Sequence, residues 1–175
     1  YGLTPTRESW ERYKSFIDPS DPRRWGEGWE KKAEELGKSG MMLAFMGGSL
    51  YGWLRNWMGI ENISMLMYDD PALFEEMVAY LTGYFMELTA PVLQKVSFDL
   101  VYFFEDCCGS TGPLFSPAIY DAVLDKYYKK LIGFYKDNGV DLALVDSDGK
   151  VDTFIPHWLG SGFDIIFPIE VGTWG

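Results

Sequence analysis

The chain has 175 residues, 47% of them hydrophobic and 23% charged, which suits one globular domain and excludes a disordered polymer. Its 26 acidic and 15 basic residues give a net charge of −11, so it lacks the basic face that nucleic acids or anionic membranes require. No apolar run reaches the ~18–20 residues of a membrane span.

Residues 1–40 read as a polar, helical N-terminal segment and 41–175 as a run of βα units. Thr4 and Pro5 suit a cap and first turn, and Trp10, Tyr13, Phe16 and Ile17 recur at helical spacing up to Asp18. A proline-containing loop over Asp18–Trp25 leads to a helix over Gly26–Leu36, stopped by Gly37. Met41–Met46 predicts a buried strand. Gly47, Gly48 and Ser49 turn the chain into a helix over Leu50–Trp57, and a short helix follows Gly59. Asp70-Pro71 opens the longest helix, with an apolar stripe at Leu73, Met77, Leu81, Phe85, Leu88, Val92 and Val96, and Pro91 as a kink. Leu100–Phe104 predicts a second strand and a glycine-rich loop after it. Ser116-Pro117 caps a helix with Tyr120, Leu124, Tyr127, Leu131 and Tyr135 on one face, ended by Gly139. Leu142–Val145 predicts a third strand, Val151–Leu159 a helix stopped by Gly160, and Ile165–Phe167 a fourth strand. Continuously apolar strands alternating with helices predict a parallel sheet with helices outside.

In such folds the chemistry gathers where parallel strands end. Three successive strands end in carboxylates: Glu105 and Asp106, then Asp146 and Asp148, then Glu170. Grouped carboxylates can bind a hard cation, serve as acid and base, or grip a substrate amine. The run Asp146-Ser147-Asp148-Gly149 is also a good plain turn. Gly47 and Gly48, between strand and helix, can offer amides to an anion, and Arg55 can receive a substrate carboxylate or simply face solvent. His157, the single histidine, excludes multi-histidine metal sites and reads as a structural or surface residue. Adjacent Cys107 and Cys108 do not suit a disulfide, and no CxxC or zinc-finger spacing occurs, so a reducing cytoplasm is expected. The first residue, Tyr1, and the apolar stretch before Gly175 read as a piece of a longer chain.

The segment Phe103-Phe104-Glu105-Asp106-Cys107-Cys108-Gly109-Ser110-Thr111-Gly112-Pro113-Leu114-Phe115-Ser116-Pro117 resembles a strand-loop-helix of the uroporphyrinogen decarboxylase superfamily, which includes corrinoid-dependent methyltransferases. Phe45–Gly48, Asp70-Pro71, Val145–Gly149, Gly160–Asp164 and Phe167–Val171 fit it in order, so the resemblance runs from about Met41 to Val171. It implies a partial (β/α)8 TIM barrel, with about four parallel strands and outer helices, from a fold of ~250 residues. An open half-barrel would expose a cut core and two sheet edges, which predicts poor solubility alone. Departures from the family pattern are informative. Its early aspartate and arginines have no counterpart here. Arg55 stands where the family has a tyrosine, and Asp106 where it has a serine. The zinc-binding His-x-Cys of the methyltransferases reads Asp146-Ser147-Asp148.

The resemblance implies a cytoplasmic lyase that needs no cofactor and acts on a tetrapyrrole-type small molecule. Asp106 and Asp148 would be catalytic, and Gly47, Gly48, Arg55, Glu105, Asp146 and Glu170 would bind substrate; no metal ligands are assigned. The alternatives are methyl transfer with a corrinoid protein partner, which would bring a corrinoid cofactor, and a non-catalytic truncated barrel that only binds a ligand.

Overall fold

The computed structural model of the protein describes residues 2–173. Helix α1 spans Arg7–Lys14 and is capped by Thr6, not Thr4: the Thr6 hydroxyl accepts from the Ser9 amide at 3.3 Å, while the Thr4 amide donates to Ser9 Oγ at 3.0 Å. That reciprocal exchange resembles a capping box and moves the helix start past Pro5. The helix stops short of Asp18, leaving Ile17 buried and Phe16 exposed. Helix α2 spans Trp29–Gly37.

Strand β1 covers Ala44–Gly48, shifted from the expected Met41–Met46, and Met41 and Met42 are exposed. The glycines belong to the strand because neighbouring side chains leave them no room. A Cβ on Gly47 would lie 2.2 Å from Val101 Cγ2, and one on Gly48 2.4 Å from Phe85 Cζ. Helices α3 (Gly52–Met58) and α4 (Ile60–Asp69) follow. Asp70 caps α5 (Pro71–Leu93), accepting from the Leu73 amide at 3.0 Å, as the Asp-Pro pair predicts. Leu73, Met77, Leu81 and Phe85 are buried along its predicted stripe.

Strand β2 is Leu100–Phe104. Its loop contains a small antiparallel ribbon that the sequence did not announce, β3 (Cys108–Gly109) against β4 (Gly112–Pro113). Ser116 then caps α6 (Pro117–Ile119), which runs through a π-helical turn at Tyr120–Leu124 into α7 (Asp125–Asp137). Strand β5 is Leu142–Asp146. Helix α8 spans Ile155–Ser161, starting later than Val151 because Pro156, which has no amide to donate, sits in its first turn. Strand β6 is Ile165–Phe167.

The main sheet runs β1-β2-β5-β6, parallel throughout, so spatial order follows chain order. Every crossover moves the same way, and crossovers of one hand then put their helices on one face. Burial follows from this. Val101, Phe103, Ala143 and Val145 are fully buried, with Phe103 packed on Tyr128 and Tyr135 of α7 and on Phe163. The intervening residues open away from those helices: Met46, Leu142 and Phe167 are 55%, 40% and 54% exposed, and Tyr102, Phe104 and Leu144 are half-buried. The strands are therefore apolar on both faces but buried on only one. The architecture is mixed α/β, with a four-stranded parallel sheet and surrounding helices. Among the described residues, no helix is long and apolar enough to cross a membrane.

Gly48 has φ +107° and its Cβ direction points into Phe85. Gly48→Ala is expected to lower stability by about 2–3 kcal/mol through strain and overpacking, measured as a lower urea midpoint at unchanged slope.

Candidate functional site

The strand ends carry the charge of the site. Asp106 follows β2, Asp146 closes β5 and Asp148 lies in the loop beyond it, and Glu170 follows β6. The β2 and β5 ends are tied together, since the amides of Glu105 and Asp106 both donate to the Asp146 carbonyl at 2.9 and 3.0 Å. The β5 and β6 ends are tied by the Ser147 amide, which donates to the Phe167 carbonyl at 2.9 Å. Glu170 Oε2 then accepts from the Gly149 amide at 2.6 Å.

Three of these four carboxylates have partners. Asp106 Oδ2 lies 2.8 Å from Arg55 Nη1, and the same guanidinium donates to the Asp106 carbonyl. Asp106 is the one non-glycine residue in the left-handed region among those described, at φ +43°, a conformation that aspartate tolerates better than most side chains. Asp146 accepts from the Tyr102 hydroxyl, and Tyr102 is pushed up to about 12 by desolvation and by that bond. Glu170 holds Gly149. Asp148 is exposed, and no hydrogen bond to its carboxylate occurs among the described residues. Desolvation, followed by the charges of Asp106, Asp146 and Glu170, raises its carboxyl above the ordinary value. Asp106, Asp146 and Glu170 thus stand near enough to Asp148 for their charges to act on it at a shared mouth of strand ends.

Glu105, expected beside them, is instead buried. Its Oε1 accepts from the Leu50 amide at 2.8 Å, and its Oε2 from the Tyr51 and Gly52 amides at 3.0 and 3.1 Å. Both oxygens are taken by the chain itself, so the glutamate is internal rather than a substrate contact. Gly47 and Gly48 are also corrected: they are buried strand residues shaped by Val101, Tyr135 and Phe85. The amides that hold an acidic group come just after them, and that group is the Glu105 carboxyl.

Sequence reasoning missed Tyr102, whose strand parity places it on the open face with Phe104 and Asp146. It also missed Ser147, buried where its Oγ accepts from the Cys107 amide at 3.0 Å. Both cysteines are buried under the mouth; burial pushes the Cys107 thiol up, while hydrogen bonds from Cys107 and Ser147 hold Cys108 lower. His157 is on α8, with Nδ1 2.6 Å from Asp121 Oδ1. Among the described residues, no group of three or more His, Cys, Asp or Glu is arranged to hold a metal ion.

The fold and the mouth define a singly wound parallel α/β protein with an acidic strand-end site. No protein-family model, curated protein or solved structure matches the chain.

Burial raises the Glu105 carboxyl, and hydrogen bonds from Tyr128 and the loop amides only partly oppose this. A raised folded value means that the folded state binds the proton more tightly. The stability this gives is present below the ordinary glutamate value of ~4.3 and is lost as pH rises through the folded value. Glu105→Gln has no such dependence, and its NH2 meets amide donors at a loss of about 1–3 kcal/mol. Urea unfolding is expected to show the wild-type advantage over Gln shrinking as pH rises above the ordinary glutamate value.

Proposed function

We propose that the chain supplies four strands, the first three with their helices, of a (β/α)8 barrel enzyme of the uroporphyrinogen decarboxylase superfamily, acting as a carbon–carbon lyase through its acidic mouth. The observation that carries the reading is the convergence of Asp106, Asp146, Asp148 and Glu170 at the carboxyl ends of adjacent parallel strands, with Asp148 unpartnered among the described residues. One-sided helices and an apolar open sheet face support the barrel, because in a closed barrel that face becomes the packed interior.

Decarboxylation needs a sink for the electron pair of the breaking carbon–carbon bond. A protonated pyrrole-type ring provides it: the pair flows into the cationic ring, CO2 departs, and a proton later replaces it on carbon. The chain's part is electrostatic. Fixed carboxylates favour the cationic ring before bond cleavage. Asp148, whose carboxylate accepts no hydrogen bond among the described residues, suits the acid–base step, and Asp106 is pinned beside it by Arg55.

A second reading, methyl transfer with a corrinoid protein, draws on the engagement of Arg55. With that guanidinium bound to Asp106, the described mouth favours a cationic methyl donor over a polycarboxylate. The corrinoid would then belong to the partner protein.

Incubation with uroporphyrinogen is expected to release CO2, and Asp148→Asn to slow release about 100-fold or more. Retained carboxylates at every pH would overturn the lyase reading. Demethylation of an added methylcobamide, followed by its spectrum, would select methyl transfer; neither reaction would leave a ligand-binding barrel.

A further inference from the structure

We infer that Glu105 is the positioning residue of the acidic mouth: its buried carboxylate fixes the Arg55–Asp106 pair by joining the two segments that carry it. This rests on the mouth as the working site.

Arg55 belongs to α3 and Asp106 to the loop after β2. The ladder between β1 and β2 ends at Gly48 and Phe103. Beyond that point the start of α3 is held to the end of β2 through the Glu105 carboxylate, by its three bonds to the Leu50, Tyr51 and Gly52 amides. Gly52 makes the approach possible, since a Cβ there would lie 2.6 Å from the Phe104 carbonyl oxygen. Arg55 comes one turn later, its amide donating to the Tyr51 carbonyl at 2.9 Å. A shift of Tyr51 therefore shifts the guanidinium.

On the other side, Asp106 is bonded covalently to Glu105, and its amide is fixed by Asp146. The left-handed backbone at Asp106 lets neighbouring side chains part, Glu105 inward and Asp106 toward Arg55. One internal carboxylate thus sets both ends of the half-buried ion pair. A merely stabilising glutamate would predict a general loss of stability with no selective loosening of Arg55.

The test is nuclear magnetic resonance of the Arg55 guanidinium in the full chain. In Glu105→Gln, exchange of the Arg55 side-chain protons with solvent is expected to quicken about tenfold or more while the sheet amides of β2 and β5 stay protected. In Asp106→Asn, the Arg55 protons should quicken while the Leu50, Tyr51 and Gly52 amides keep wild-type protection, because dependence runs from Glu105 to the pair. Unchanged Arg55 exchange in a folded Glu105→Gln protein overturns the proposal. Should that variant not fold, wild type in sub-denaturing urea decides: the three loop amides and the Arg55 protons are expected to lose protection together, and loss of Arg55 protection with the amides intact overturns it. None of these readouts depends on lyase activity, so failure here and failure of the lyase assay are distinguishable.

Discussion

A carboxylate placed where water cannot reach it must find donors within the chain, and Glu105 finds three consecutive amides at the start of α3. Desolvating an ionised or polar carboxyl without partners costs several kcal/mol, so the loop after β1 cannot leave the end of β2 without exposing that cost. The clamp works in both directions. It satisfies amides that a short helix start would otherwise leave open, and it decides which way the next residue, Asp106, can face.

The order of the sheet imposes the second constraint. Four parallel strands laid down in sequence bring all their carboxyl ends to one edge of the molecule, and their loops must share that edge. The result is a mouth in which each carboxylate is handled differently: one by a guanidinium, one by a phenol, one by a backbone amide, and Asp148 by none among the described residues. The same winding leaves the sheet with an apolar face that its own helices do not cover, the face on which Tyr102, Phe104 and Asp146 stand.

Much of this was legible in the sequence. Asp70-Pro71 marked the start of α5, and the Leu73–Phe85 stripe marked its buried side, because caps and helical periodicity are local properties. The bounds of β2 and β6 and the gathering of acids at strand ends were legible for the same reason. What could not be read were effects set by distant partners. Gly47 and Gly48 look like a turn until Val101 and Phe85 are placed against them. Glu105 and Asp106 look equivalent as neighbours, and only the amides of Leu50–Gly52 tell them apart. Continuous apolarity did not tell the buried face of each strand from the open one, because the alternating burial of β2 and β5 depends on winding direction, which no single strand records.

The central claim, that carboxylates from neighbouring strand ends crowd one mouth, is tested most directly by following the Asp148 side-chain carboxyl by carbon-13 resonance as pH is varied. The account predicts titration above the ordinary aspartate value of ~3.9, and a fall toward that value in Asp146→Asn, where one neighbouring charge is gone. Titration of Asp148 at the ordinary value, indifferent to Asp146, would contradict it.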